Sequence, residues 1–135
     1  MNPVEFGLPH REPFVFVDRI AHIEPGQSAR CEKTFPATQD FFRGHFPGNP
    51  IVPGVILTEA LAQTAGIAAA SDGSNRRFLL SAIRSMKFPK AAHPDTLILL
   101  EAKKVGEMGP LFQFEAKATI AGETVAEGTI ILSEA

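Results

Sequence analysis

The chain has 135 residues, enough for one domain with a buried core, and we expect a single domain over residues 1–135. Its 13 basic and 15 acidic side chains give a net charge of −2, and no basic block suggests a nucleic-acid partner. The single cysteine, Cys31, excludes an intramolecular disulfide and a metal site built from cysteines. No apolar run reaches the roughly 20 residues needed to span a bilayer, and the first residues lack a secretory signal. We therefore expect a cytoplasmic protein without a membrane partner.

The first predicted elements are two strands followed by a loop. Residues 14–23 (FVFVDRIAHI) are rich in β-branched and aromatic side chains, which predicts a strand that ends at the turn Pro25-Gly26. Residues 28–35 are predicted to be its hairpin partner. Residues 38–53 contain two glycines and three prolines, a composition typical of a loop.

The only predicted helix runs from Gly54 to about Ala70. Leu57, Leu61 and Ala65 recur at helical spacing, and Pro53 stands where a helix can begin without losing a hydrogen bond. Alanine and glycine make this helix thin and apolar on nearly every side. Such a helix is expected to be buried on more than one side, with a sheet curled around it.

The second half of the chain predicts four further strands. They span residues 78–88, 96–105, 111–120 and 123–132, and Ala121-Gly122 is expected to close a hairpin between the last two. In residues 112–120 apolar and polar side chains alternate, so one face of that strand is expected to be buried. Six strands around one helix predict an α+β fold with the helix inside the curve of the sheet.

The residues best suited to chemistry lie between the loop and the helix. His45 occupies the proline-rich loop, and an imidazole can act as a general base near neutral pH. Glu59 stands among apolar helix residues, where an unpaired carboxylate is costly to bury and the protonated form is favoured. At the turn Pro53-Gly54 the first N–H groups of the helix lack intrahelical partners, and Gly54 N–H could stabilise an enolate oxygen. Base, acid and amide donor together suit β-elimination of water.

The segment GHFPGNPIVPGVILTEALAQ, residues 44–63, resembles the signature of bacterial 3-hydroxyacyl-[acyl-carrier-protein] dehydratases of the FabZ type, which have the hotdog fold. The stretch LPHREPF, residues 8–14, is similar to the family's N-terminal pattern. The resemblance implies that His45 is the base and Glu59 the acid, supplied by opposite subunits of a homodimer whose two sheets join. It also implies a cis peptide between His45 and Phe46, and assembly of the dimers into a trimer of dimers.

The same resemblance implies further site residues and the substrate carrier. Gln63, one turn after Glu59, resembles a residue that orients the carboxylate or its water. Phe46, Pro53 and Val55 are expected beside the acyl chain, in a tunnel lined by phenylalanines and the apolar face of the helix. The implied partner is acyl carrier protein, which holds the acyl group on its phosphopantetheine arm. No metal or other cofactor is expected, since the four histidines form no i, i+4 pair.

Two alternatives remain open at the level of the sequence. One is an acyl thioesterase of the same fold, in which Glu59 would activate water. The other is an acyl-binding hotdog protein without catalytic activity. The acyl length, the pathway and the basic residues that meet the carrier are also open. His10, His22 and His93 belong to no recognisable constellation and are interpreted as structural or surface residues.

Overall fold

The computed structural model describes residues 1–135 and consists of one long helix and a six-stranded antiparallel sheet. A short helix α1, Pro3–Phe6, precedes the first strand, and the long helix α2 spans Gly54–Ala70. The strands are β1 Arg19–Glu24, β2 Ser28–Lys33, β3 Phe78–Lys87, β4 Ile98–Met108, β5 Leu111–Ile120 and β6 Glu123–Glu134. In the sheet they lie in the order β1-β2-β4-β5-β6-β3. The predicted α+β hotdog architecture is confirmed. Neither helix is both long and apolar enough to cross a lipid bilayer.

Helix α2 begins and ends where the sequence predicted. Pro53, with φ −58°, is its N-cap, and the helix stops at Ala70 before Ser71. Eleven of its residues are buried, among them Leu57, Leu61 and Ala65, because the sheet wraps around it. Small alanine side chains allow this close approach of helix and sheet. The prediction that the helix is buried on more than one side is confirmed.

The inner face of the sheet forms the core with α2. On β5 the side chains of Phe112, Phe114, Ala116 and Ala118 point inward and are buried, as the alternating pattern predicted. Cys31 on β2 is fully buried too, and burial raises the pKa of its thiol to about 11. A thiol with that pKa holds its proton at neutral pH, so Cys31 is a packed, unreactive side chain.

The outer face of the sheet carries charges of alternating sign. One row of directly opposed residues crosses five strands in the sheet order: Arg30, Glu101, Lys117, Glu127 and Lys87. In the neighbouring row Lys103 lies opposite Glu115. Opposite charges on facing strands stabilise the pairing of those strands.

Strand β3 forms one edge of the sheet. It pairs with β6 on one side only, and its other side has no partner strand within the chain. Three large apolar side chains on this strand, Leu79, Leu80 and Ile83, are exposed to solvent. Unpaired strand edges with exposed apolar side chains favour association with a further strand.

The structure differs from the sequence prediction in the first strand. The predicted strand over 14–23 is wrong at its start, because β1 covers only Arg19–Glu24. Among the preceding residues, Phe14 and Phe16 bond to Gln63 of α2 instead of to a strand. Helix α1 and a 3₁₀ turn at Asp40–Arg43, inside the predicted loop, were not predicted. The other strands match the predicted ones within about three residues at each end, as is usual for element boundaries.

Candidate functional site

The predicted acid lines an apolar cavity of about 380 Å³ between the N-terminal segment, helix α2 and the start of β3. Its walls include the rings of Phe6, Phe14 and Phe78 and the helix residues Ala62, Gly66 and Ile67. A larger, open concavity of about 670 Å³ lies on the sheet, but charged and polar residues make up most of its lining. None of the predicted site residues lines that second concavity. The smaller cavity is therefore the candidate site for an acyl chain, because it combines apolar walls with few polar groups.

Glu59 and Gln63 stand one helical turn apart on the side of α2 that faces this cavity. Gln63 Nε2 donates to Glu59 Oε2 at 3.0 Å. Glu59 keeps 20% of its side chain exposed, whereas Gln63 is 1% exposed. The pair fits the prediction that Gln63 orients the carboxyl group of Glu59.

Gln63 also attaches the N-terminal segment to the helix. Its Oε1 accepts from Phe16 N–H at 2.9 Å, and its Nε2 donates to Phe14 C=O at 3.0 Å. These bonds satisfy two backbone groups that would otherwise be unpaired beside the core. The segment that Gln63 holds is the one that the sequence had assigned to a strand.

His10 is the residue that the sequence interpretation missed. Its Nε2 lies 3.5 Å from Glu59 Oε2, and it lines the same cavity, although the sequence placed it in no constellation. The LPHREPF stretch, which contains His10 and carries part of the resemblance, is the signal that could have located it. Its distance from Glu59 along the chain does not indicate that the two residues are close. His22, next to Glu24, and His93, next to Pro50 C=O, lie outside the cavity.

His45 lies in the loop before α2, with its ring half-buried. Its Nδ1 is 2.9 Å from Ile51 C=O, and its ring stacks on Phe46 at 4.1 Å between centroids. A carbonyl oxygen can only accept, so Nδ1 carries the proton and Nε2 is left with a free lone pair. The peptide bond between His45 and Phe46 is cis, as the resemblance implied.

Gly54 is the first residue of α2, and its N–H makes no hydrogen bond within the chain. The ring of Phe88 lies directly over it: a Cβ at Gly54 would approach three ring atoms at 3.1–3.2 Å. Val55, the next residue, is 76% exposed. A free N–H at a helix start next to an exposed surface can bind a developing negative charge.

A single chain does not bring all the predicted site residues together. Glu59 and Gln63 line the cavity, whereas His45, Phe46, Pro53, Gly54 and Val55 do not. The predicted base and the predicted acid thus have separate surroundings within one chain. No three His, Cys, Asp or Glu side chains cluster closely enough to hold a metal ion.

Comparisons with known proteins agree with the architecture. Residues 8–129 match the family model of the FabA-like domain. The chain is 40% identical over 125 residues to the 3-hydroxyacyl-[acyl-carrier-protein] dehydratase FabZ of Ruminiclostridium cellulolyticum, covering 91% of this chain and 88% of the relative.

Solved structures share the fold at low sequence identity. The dehydratase heterocomplex ApeI:P of Xenorhabdus doucetiae matches with a TM-score of 0.82 and 16% identity, over 100% of this chain and 92% of that one. A hypothetical thioesterase from Streptococcus pneumoniae, solved with coenzyme A, matches with a TM-score of 0.70 and 15% identity, over 87% and 84%. Because a dehydratase complex and a hypothetical thioesterase share this fold, the fold by itself does not identify the reaction.

Proposed function

Since the chain belongs to the FabA-like family and is similar to FabZ dehydratases over most of its length, we propose that it dehydrates 3-hydroxyacyl groups carried on acyl carrier protein. The substrate is a (3R)-hydroxyacyl thioester on the phosphopantetheine arm, and the product is the trans-2-enoyl thioester. The observation that carries the proposal is Glu59, a carboxyl group held by Gln63 in a cavity whose lining is mostly apolar. We expect the reaction in the cytoplasm, as part of fatty-acid synthesis.

His45 is the proposed base. Its Nε2 lone pair takes the proton from the carbon next to the thioester carbonyl, and the electron pair of that C–H bond moves toward the carbonyl. The bond from Nδ1 to Ile51 C=O fixes the tautomer that this step needs and stabilises the imidazolium that results. The Phe46 ring, stacked on the imidazole, restricts its rotation.

Glu59 is the proposed acid. Its protonated carboxyl group donates a proton to the hydroxyl on the β-carbon, the C–O bond breaks, and water leaves as the double bond forms. After this step the Gln63 amide stabilises the carboxylate through its hydrogen bond to Oε2.

Gly54 N–H is the proposed donor to the thioester oxygen. Negative charge accumulates on that oxygen as the α-proton leaves, and an unpaired amide at a helix start stabilises it. No metal ion or nucleotide is part of the proposed reaction, because side chains and one backbone amide supply each step.

The proposal requires two chains. Within one chain the cavity that contains Glu59 lacks His45, so a second copy is proposed to supply the imidazole. The free edge of β3, with Leu79, Leu80 and Ile83 exposed, is the surface through which the two sheets would join. In a two-fold dimer each chain would contribute its His45 to one site and its Glu59 to the other.

The carrier is expected to approach basic side chains near the cavity. Arg43, Arg76 and Lys90 are ion-paired with Asp40, Asp72 and Glu123. Arg84 and Lys87 on β3 have no ion pair. Arg77, which immediately precedes this strand, has none either and also lines the cavity. Unpaired cations attract an acidic partner more effectively than neutralised ones.

The test is complementation between two inactive variants. His45→Ala and Glu59→Gln should each lower kcat at least about 10²-fold for hydration of crotonyl-carrier protein. When the two variants are unfolded together and refolded, half of the dimers contain one of each chain. Each such dimer has one complete site, so the mixture should recover up to about a quarter of wild-type activity.

Two controls accompany this experiment. Each variant refolded alone should stay inactive, and circular dichroism should show that both keep the fold. Failure of the mixture to recover activity would contradict the two-chain site. Release of free thiol without interconversion of hydroxyacyl and enoyl thioesters would instead support the thioesterase alternative, which the family relationship does not favour.

A further inference from the structure

We propose that His10 is a positioning residue for the acid: it orients the Glu59 carboxyl group and leaves the transferable proton on Oε1. This inference rests on the proposed dehydratase function, because it assigns a role next to Glu59. The observation that carries it is the placement of His10 Nε2 at 3.5 Å from Glu59 Oε2, beside the Gln63 amide.

The Gln63 amide has only one orientation that satisfies its partners. Phe16 N–H donates to Gln63 Oε1, so the opposite end of the amide, which meets Phe14 C=O and Glu59, is the NH₂ group. Glu59 Oε2 therefore accepts a hydrogen bond. An oxygen that accepts from a fixed donor is the poorer place for the acid proton, which leaves Oε1 to carry it.

The tautomer of His10 follows from its other nitrogen. Nδ1 is buried and has no hydrogen-bond partner within the chain. A proton on Nδ1 would be a buried, unsatisfied donor. The favoured tautomer therefore has its proton on Nε2, the nitrogen that faces Glu59. His10 thus adds a second donor toward Oε2.

The segment around His10 holds its ring in this place. Arg11 donates to Leu8 C=O at 2.7 Å and to His10 C=O at 2.8 Å, which fixes the backbone. The imidazole stacks on Phe14 at 6.1 Å with an interplanar angle of 21°. The gap of 3.5 Å exceeds the 2.7–3.2 Å of a formed N–H···O bond. Catalytic hydrogen bonds are often long in free enzymes and shorten when substrate is bound.

The chemical consequence concerns the step in which Glu59 loses its proton. Once Oε1 has given its proton to the leaving hydroxyl, the carboxylate charge is stabilised at Oε2 by His10 and Gln63. Other charged groups face the same cavity: Arg76, which is paired with Asp72 and Glu134, and Arg77. Neither arginine is altered in the experiment below, so their effect stays constant.

The experiment compares two variants of His10 in the full-length protein. His10→Phe keeps a ring that can stack on Phe14 but has no N–H, whereas His10→Gln places an amide N–H near the position of Nε2. With 3-hydroxyacyl-carrier protein as substrate, His10→Phe should lower kcat about tenfold with KM nearly unchanged, because the acid is misoriented only at the chemical step.

The pH profile is the readout that a merely structural role would not change. A donor to Oε2 stabilises the ionised carboxylate, so without it the acid keeps its proton to higher pH. The alkaline limb of kcat, where activity falls as Glu59 ionises, should move up by about one pH unit in His10→Phe, the effect of one hydrogen bond to a charged group. His10→Gln should restore both the value of kcat and the pH at which its alkaline limb falls.

The outcomes separate this inference from the proposed function. An active wild type whose kcat and alkaline limb are unchanged in His10→Phe overturns the role of His10 and leaves the dehydratase intact. Equal losses in His10→Phe and His10→Gln also overturn it, because the N–H would then have no influence. A wild type that does not dehydrate the substrate contradicts the proposed function itself.

Discussion

Gly54 has little room for a side chain, because an aromatic ring lies over it. The Phe88 ring covers its Cα, and the distances of 3.1–3.2 Å from a built Cβ to that ring are tighter than ordinary packing. Phe88 is 47% exposed, so we expect its ring to shift by the few tenths of an ångström that a methyl group requires. A methyl group here would consequently disturb the approach to the N–H more than it would disturb the fold.

We expect Gly54→Ala to lower kcat/KM about tenfold or more, because the added methyl group separates the thioester oxygen from the N–H donor. Steady-state kinetics with a hydroxyacyl-carrier substrate would measure the loss. The matched variant is Gly54→Ala combined with Phe88→Ala, which removes the crowding. Recovery of activity in the double variant would show that crowding, and not access to the N–H, caused the loss.

At this scale the sequence predicted one neighbour of Glu59 and missed the other. Gln63 follows Glu59 by four residues in a helix, a spacing that places both on one face. His10 is 49 residues away along the chain, and only the path of the N-terminal segment over α2 brings it near. Spacing rules predict contacts within one helix or strand, so they could not predict the contact between His10 and Glu59.

Among the elements, α2 and the segment before β1 depend on each other through Gln63. The helix supplies a buried amide, and the segment supplies the backbone groups of Phe14 and Phe16. These hydrogen bonds explain why the strand predicted over residues 14–23 begins only at Arg19. Its β-branched and aromatic residues fit a strand, but the hydrogen bonds that a strand would make go to a side chain of the helix.

Replacing Gln63 by leucine should lower the free energy of unfolding by about 2–4 kcal/mol, since it leaves the buried N–H of Phe16 and the partly buried C=O of Phe14 unpaired. Urea denaturation followed by circular dichroism would measure it. Thr64→Val is the matched control: the Thr64 hydroxyl is also buried, but it donates to Ala60 C=O of its own helix and holds no backbone group of the N-terminal segment. An equal loss in both variants would refute the bridging role.

The limits of the helix were more predictable than those of the strands. Pro53 marks its start and the alanine-rich composition marks its extent, both of which are local features. The ends of β4 and β6 extend two or three residues beyond their predicted ends because the neighbouring strands continue to offer partners. Pairing between strands is a property of the sheet and is not encoded within one segment.

For the whole molecule, the proposed two-chain site depends on the edge strand β3. Ile83 lies opposite the buried Ile130 in the sheet register, yet half of its own surface is exposed. It occupies the rim of the core, where a second copy would cover it. The proposed site and the proposed association thus depend on the same strand.

Ile83→Lys should convert the proposed dimer to a monomer at micromolar concentration and remove most of its activity, because a charge at a strand edge opposes pairing. Sedimentation velocity and a hydration assay on the same samples would test both effects. Met108→Lys is the control: Met108 is also exposed, at 78%, but lies at the turn between β4 and β5. A variant at position 83 that stays dimeric, or a monomer with full activity, would contradict the proposal.

The alternating charges on the outer face help to set the register between neighbouring strands. A slip of two residues between β4 and β5 would keep every apolar side chain on the helix side, so burial alone does not oppose it. The same slip would set Glu101 against Glu115, or Lys103 against Lys117 in the other direction, in place of the observed opposite charges. Repulsion between like charges therefore disfavours slipped alignments that hydrophobic burial alone does not disfavour.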